Sequence, residues 1–414
     1  MKIVRGVIKA VFFILLAACI FIFSAIIYLD SVLGGEYKVN RGELLNIESV
    51  LPVTAEFSGE SAADAHLKES GGRTSVELKL FGTIPFSTAE VEYVDKTSVA
   101  VLGNPFGIKL YTNGVLVIDI TSVATEKGNE SPAAVCGVKK GDYILTANGK
   151  EITCNEDLAG IVADSAGREI ALLISRNGKK KNIKVAPLLS SETKNYQIGI
   201  WVRDSTAGIG TLTFYSPSSG VICGLGHGIC DSDTGSLLTV DSGQMVTAAI
   251  AAVEKGKNGS PGELKGSFKS QVLADISENS EIGVYGILSG NIGAAPLTEI
   301  ALRQEVENGD AQLLCTIDGE EPKLYSCTVK KRNAGEHSKT QNLLVTVTDP
   351  QLIKATGGIV QGMSGSPILQ NGKLIGAVTH VLIDDSTTGY GIYAENMFEK
   401  VQEVSTKSKL REVS

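Results

Sequence analysis

The sequence predicts a mostly β protein, with β-domains standing behind one N-terminal transmembrane helix. Three observations predict it. Glycine supplies 46 of the 414 residues, as many short strands joined by glycine turns would require. Apolar and polar residues alternate in stretches such as "TSVELKLFGTIPFSTAEVEYV", Thr74 to Val94, the period of a half-buried strand. Near the start, Ala10 to Leu29 runs without a charge.

As a helix, that apolar run would span about 30 Å, the thickness of a bilayer core. Lys2, Arg5 and Lys9 precede it, and Asp30 and Glu36 follow it. The positive end stays in the cytoplasm, so the bulk of the chain is expected outside. A cleaved signal peptide would have a shorter apolar region and a small-x-small site behind it. "AIIYLDSVLGG" is a poor such site, so an uncleaved anchor is expected. The net charge of −8 leaves no electrostatic footprint for nucleic acid. Hydrophobic residues, at 43%, are enough for a sizeable core.

Four segments are expected: 1–30, cytoplasmic start and anchor; 31–95, a strand-rich juxtamembrane segment with a loop around His66; 96–190, a small module; and 191–414, the largest domain. In the module, "GVLVIDI" reads as a buried strand. A helical turn over Ser131–Cys136, the Lys140-Gly141-Asp142 turn, a strand over Tyr143–Ala147 and an Asn148-Gly149 hairpin turn follow. Asn155 is expected to cap a helix that buries Leu158, Ile161 and Val162. A last hairpin turns at Asn177-Gly178. This order resembles a PDZ domain of the kind attached to bacterial extracytoplasmic proteases. The resemblance implies binding of an extended peptide as an added strand. It puts the carboxylate-holding loop at Phe106, Gly107 and Ile108, after a Pro105 that lacks an N–H.

The last domain reads as a β-barrel protein. "IGIWVRDSTAGIGTLTFY" is expected to form two strands about a glycine turn, and "GQMVTAAIAAVEKG" fits helix or strand. Cys19 lies in the membrane span, and the six other cysteines lie where disulfides are permitted. Cys223, His227 and Cys230 are close together, but no fourth ligand is near. No metal and no organic cofactor is expected.

The stretch "GGIVQGMSGSPIL", Gly357 to Leu369, carries the chemistry. A serine hydroxyl needs a base to take its proton. The tight glycine turn can aim the N–H groups of Gly362 and Ser364 into one oxyanion hole. Ser364 is preferred over Ser366, because donors and nucleophile then share one turn. Of four histidines, His227 in "GLGHGI" has the small neighbours that leave an imidazole open to a partner. His337 reads as a loop residue, and His380 as packing or lining the cleft.

"GMSGSP" resembles the nucleophile motif of chymotrypsin-like serine peptidases. With the membrane span, the PDZ module, "GLGHGI" and "GMSGSP" in this order, the chain resembles the stage IV sporulation protein B family of sporulation signalling peptidases. That resemblance implies a catalytic triad of His227, Asp349 and Ser364. From the residues alone, Asp349 ends an apolar strand before Pro350, a rigid mount. Chymotrypsin-like topology would instead place the acid about midway, and Asp275, between His227 and Ser364, is the rival. The resemblance further implies cleavage of a membrane protein complex between the two membranes around the spore, release of sigma-factor processing, and self-cleavage near the N-terminus. Its PDZ module would hold substrate, hold the chain's own segment, or restrain the protease. Two other readings compete: a catalytically inactive docking scaffold, and an HtrA-type protease. HtrA proteins usually place the PDZ domain after the protease, whereas here it comes first.

Overall fold

The structure is a computed structural model describing residues 2–33, 35–43, 45, 47, 49, 51–57, 72–332 and 339–413. His66 and His337, both expected in loops, lie outside the described residues. The chain divides into two compact units, residues 1–98 with 299–307, and residues 99–298 with 308–414.

The first unit carries helix α1 (Lys2–Leu33). Its window Val11–Asp30 is long and apolar enough to cross a membrane, with mean hydropathy 2.8 and large side chains such as Phe12 and Phe13 exposed. Four strands follow: β1 (Glu36–Asn40), β2 (Val53–Phe57), β3 (Gly72–Leu80) and β4 (Ile84–Val94). They form a sheet in the order β1-β4-β3-β2. The alternating apolar residues Val76, Leu78, Leu80, Ala89, Val91 and Tyr93 are its buried face.

In the second unit, β5 (Pro105–Ile120) belongs to two modules at once. Its first half lies in a barrel. Its second half opens the small module, pairing with β6 (Tyr143–Ala147), which pairs in turn with β7 (Ile170–Arg176) and then β8 (Lys179–Val185). Gly114 sits where the halves meet, at φ +81°, and a Cβ there would lie 2.3 Å from the Ile144 carbonyl oxygen. Only glycine fits. The expected local elements are present: α2 (Pro132–Val135), left-handed Asn148-Gly149 and Asn177-Gly178 turns, and α3 (Asn155–Asp164). Cys154, not Asn155, is the N-cap of α3, and Leu158 and Val162 are its buried residues.

The first barrel is a ring of six strands. These are β5, β9 (Ile200–Ser216), β10 (Val221–Gly224), β11 (Val240–Glu254), β12 (Glu263–Ser280) and β13 (Gly283–Leu288). They pair as β5-β11-β12-β13-β10-β9, and the β9–β5 ladder closes the ring. The glycine turn expected inside "IGIWVRDSTAGIGTLTFY" is absent, because Gly208 and Gly210 lie within one continuous strand. Gly210 is there for closeness: a Cβ would meet Leu225 Cδ2 at 2.1 Å. The ambiguous "GQMVTAAIAAVE" segment is strand β11.

The second barrel is closed by β14 (Gly309–Cys315), β15 (Lys323–Lys331), β16 (Leu343–Val347), β17 (Pro367–Gln370), β18 (Lys373–Val381) and β19 (Thr388–Tyr393). Helix α4 (Pro350–Thr356) precedes the nucleophile turn, and α5 (Ala394–Val413) packs back on β10 and β18. The cysteines of the described residues are all free thiols.

The structure corrects the expected carboxylate loop. Phe106, Gly107 and Ile108 form no loop; they are in β5, paired with β9 and β11. Phe106 and Ile108 are buried in the first barrel's core. Gly107 is small because Phe268 needs the space, its Cδ1 lying 2.5 Å from where a Cβ would be.

Candidate active site

The two barrels meet at the nucleophile turn. Gly362 and Gly365 hold φ +96° and +95°, a backbone that side-chain-bearing residues rarely adopt. Gly365 is wedged so closely that a Cβ would lie 2.0 Å from the Thr211 carbonyl oxygen. Strand β9 of the first barrel grips the turn. Thr211 N–H donates to the Ser364 carbonyl at 2.9 Å. Its hydroxyl donates to the Gly362 carbonyl at 2.8 Å, and the Thr213 hydroxyl to the Gly365 carbonyl at 2.7 Å. Among the described residues, the N–H groups of Gly362 and Ser364 donate to nothing in the chain. Such unspent donors, pre-aimed by a rigid turn, are what an oxyanion hole requires.

Ser364 is half-buried and lines a cleft of about 480 Å³ together with Gly362, His227 and His380. The rival Ser366 is fully buried and does not line it. His227 reaches the cleft on a tight loop in which Leu225 and Gly226 both have positive φ, +69° and +65°. A Cβ on Gly226 would press on Ile392 and Thr379 at 3.0 Å. The small residues around His227 thus let its loop lie against the second barrel.

His227 Nδ1 lies 2.8 Å from the carbonyl oxygen of Gly228. A carbonyl only accepts, so Nδ1 carries the hydrogen and Nε2 keeps the lone pair. Burial pushes the His227 pKa below the usual histidine value, against the opposing pull of the Gly228 carbonyl. The imidazole is therefore neutral at pH 7, as a base must be. Ser364 Oγ donates to the Thr379 carbonyl at 2.7 Å. That carbonyl sits at a bulge, where the β18–β19 register shifts between Val378 and His380.

The expected acid is not at this histidine. Asp349 caps α4: Oδ1 accepts from Gln351 N–H at 2.8 Å and Leu352 N–H at 3.1 Å, and Oδ2 accepts from Ser326 N–H at 3.3 Å. Burial alone would raise its pKa, but these three donors outweigh that and hold it below the usual carboxylate range. Both oxygens are thus committed to backbone, and Asp349 does not line the cleft. The physical reason is the Asp-Pro sequence, a strong helix start. The rival Asp275 lies exposed on β12 opposite Gln244 and also stays outside the cleft. Among the described residues, the Gly228 carbonyl and no carboxylate is the hydrogen-bond partner of the His227 ring.

A second groove, of about 1040 Å³, lies between α3 and residues 196–202 and is lined by Leu158, Val162, Ile198, Gly199 and Ile200. The start of β9 pairs along one edge with Leu116–Ile120 of β5. Among the described residues, no strand pairs with its other edge at Ile200–Val202. Gly199 has φ +74°, and a Cβ there would lie 2.4 Å from the Thr121 carbonyl oxygen. The N–H groups of Ile198 and Gly199 donate to nothing among the described residues. An open strand edge ending at free N–H groups is the architecture that takes an extended peptide end.

The SpoIVB peptidase S55 family matches residues 194–398, and the PDZ domain family matches residues 100–186. The chain belongs to the SpoIVB peptidase S55 family. It carries a PDZ domain ahead of its peptidase S55 domain. It is similar to a putative zinc metalloprotease of Agrobacterium fabrum, 28% identical over 188 residues, 43% of this chain and 47% of that protein. It is also similar to a probable periplasmic serine endoprotease DegP-like of Bartonella henselae, 38% identical over 71 residues, 17% of this chain and 14% of that protein. The chain thus spans less than half the length of these curated relatives. Among solved structures, the active form of the Rv3671c protease from M. tuberculosis aligns with TM-score 0.28 and 15% identity, over 48% of this chain and 74% of that one. The HtrA-type protease AlgW with a decapeptide aligns with TM-score 0.29 and 12% identity, over 56% and 55%.

In this S55 peptidase, the sequence reading missed the Gly228 carbonyl and the Tyr196–Val202 rim of the groove. The rim did carry a signal, since "QIGIW" sets a glycine between isoleucines. The Gly228 carbonyl carried none, because any backbone can accept.

Proposed function

We propose that this chain is a membrane-anchored, extracytoplasmic endopeptidase that cuts a membrane signalling protein to trigger sigma-factor processing in sporulation. Its own segment after the apolar helix, residues 30–51, is a second substrate. One observation carries the peptidase site: His227 and Ser364 line the same cleft, beside two N–H groups that have no partner among the described residues.

For the reaction, Ser364 Oγ leaves the Thr379 carbonyl for Nε2 of His227, which lines the same cleft. His227 accepts the proton as Oγ attacks the scissile carbonyl. The Gly362 and Ser364 N–H groups meet the oxyanion, where one such donor is worth about 3 kcal/mol. His227 then protonates the leaving amine, and water releases the acyl group by the reverse path. Side chains such as Ile209, Leu225, Val360 and Val381 give the cleft apolar walls, and among the described residues no carboxylate, lysine or arginine lines it, which favours apolar substrate residues. The α3–β9 groove takes a chain end as an added strand, with its carboxylate against Ile198 and Gly199 N–H.

A serine-reactive fluorophosphonate probe tests the site on the detergent-solubilised full chain. Labelling is expected for the wild type, is expected to vanish in Ser364→Ala, and is expected to fall sharply in His227→Ala. Labelling that survives Ser364→Ala would refute the assignment.

A further inference from the structure

His227 stands at the head of the loop that joins β10 to β11, and one side chain of a third strand holds that loop. Residues 229–238 fold back on themselves: Leu238 N–H donates to the Ile229 carbonyl at 3.0 Å, and Asp231 N–H to the Ser236 carbonyl at 2.9 Å. Asn279, near the end of β12, sits at the base of this small hairpin. Its Oδ1 accepts from Ile229 N–H at 2.8 Å, and its Nδ2 donates to the Ile229 and Leu238 carbonyls, each at 2.9 Å. One amide thus spends its acceptor and both of its donors on the loop. Backbone closes the same contact. Gly228 N–H donates to the Glu281 carbonyl at 3.1 Å, and a Cβ on Gly228 would lie 2.7 Å from the Ser280 carbonyl oxygen.

Ile229 N–H and the Gly228 carbonyl belong to one peptide group. That group is planar and trans, so its N–H and its C=O point in opposite directions. Fixing the N–H on Asn279 therefore aims the carbonyl, and that carbonyl meets His227 Nδ1 at 2.8 Å. Aspartate could hold the N–H but has no donor for the two carbonyls, and leucine, of similar shape, could do neither. The far end of the hairpin is tied separately. Asp231, its side chain fully buried, pairs with Arg203 of β9 at 2.6 Å and accepts from Thr234 N–H at 2.8 Å. That tie holds the hairpin's tip, whereas Asn279 holds the end that bears the base.

Resting on the assignment of His227 and Ser364 above, we propose that Asn279 is a positioning residue for the peptidase reaction: its amide fixes the Gly228–Ile229 peptide group and so sets where the His227 imidazole stands in the cleft.

The test compares the wild type with Asn279→Ala, Asn279→Asp and Glu278→Gln, each as the detergent-solubilised full chain. Glu278 is the control. It neighbours Asn279 on β12 but pairs with Lys400 at 2.5 Å and Lys407 at 3.1 Å on α5, away from the loop. Three quantities are read: the rate of fluorophosphonate labelling above its acid limb, the melting temperature, and the Nδ1–H signal of His227 in ¹⁵N-histidine-labelled protein, assigned by its loss in His227→Ala. Asn279→Ala is expected to slow labelling about ten- to a hundredfold, since a small misplacement of a reacting group costs that much, and to shift or broaden the His227 signal. Asn279→Asp keeps the shape and one bond, and is expected to slow labelling about fivefold. Glu278→Gln is expected to lower the melting temperature while rate and signal stay as in the wild type. Wild-type rate and signal in Asn279→Ala overturn the proposal. So does a Glu278→Gln protein that loses as much rate as Asn279→Ala, which would make the effect one of stability alone. A wild type that takes up no probe overturns the Ser364 assignment; an unmoved His227 signal in Asn279→Ala then overturns the clamp as well, and a moved one upholds it.

Discussion

Thr211, on a strand of the first barrel, holds Ser364 of the second: its N–H donates to the Ser364 carbonyl at 2.9 Å while its hydroxyl donates to the Gly362 carbonyl at 2.8 Å. These two bonds set the direction of the peptide groups that carry the unspent donors. Thr211→Val keeps the N–H and the shape but leaves the Gly362 carbonyl without its hydroxyl. A buried hydrogen bond of this kind is worth about 1 kcal/mol. We expect a modest fall in melting temperature and a larger fall in turnover with unchanged substrate binding, read from kcat and KM on one peptide.

Asp349 separates two roles cleanly. As an N-cap it should tolerate asparagine, which caps equally well, and should lose about 1 kcal/mol as alanine. As a triad acid, asparagine would cost about 10⁴ in kcat. We expect Asp349→Asn to keep its cleavage rate within a few-fold and Asp349→Ala to be less stable to urea. A collapse of activity in Asp349→Asn, with stability intact, would return this residue to the triad.

The depressed histidines give stability a pH slope. His380 holds a pKa of about 4 when folded, against about 6.5 in the unfolded chain. Between these values the unfolded state binds more protons, so stability is lost as pH falls from about 6.5 to about 4 and levels off below that. Melting temperatures across this window should fall in the wild type and fall less steeply in His380→Phe. Parallel curves for the two proteins would mean that His380 titrates normally.

The α3–β9 groove and the stretch at Phe106 make opposite predictions. Gly199→Ala forces a Cβ toward the Thr121 carbonyl at 2.4 Å, so the loop must shift. We expect at least a tenfold loss of affinity for a peptide with a free apolar C-terminus, measured by fluorescence anisotropy, with the barrels intact. Phe106→Ala should instead destabilise the fold by about 3–5 kcal/mol, as truncation of a buried aromatic does. Unaltered peptide affinity in Gly199→Ala would place the binding site elsewhere.

Local signals in the sequence determined the local structure. The twenty-residue apolar run is a helix, Tyr143–Ala147 is a strand with the expected bounds, and the Asn-Gly turns lie where they read. "GMSGSP" and "GLGHGI" marked the residues that meet in one cleft, because glycine around a nucleophile or base is a local steric requirement. What the sequence could not settle were the partners of those groups. Asp349 looked like an acid but serves α4, since a carboxylate next to the free N–H groups of a helix start is already satisfied. Phe106-Gly107-Ile108 looked like a loop but is barrel strand, because its pairing with β9 and β11 is set by segments about a hundred residues or more away. Only the folded chain decided that the partner of His227 is the carbonyl of its own neighbour, Gly228, which the loop's backbone path sets, and that His227 and Ser364 share one cleft, which depends on how the two barrels close on each other.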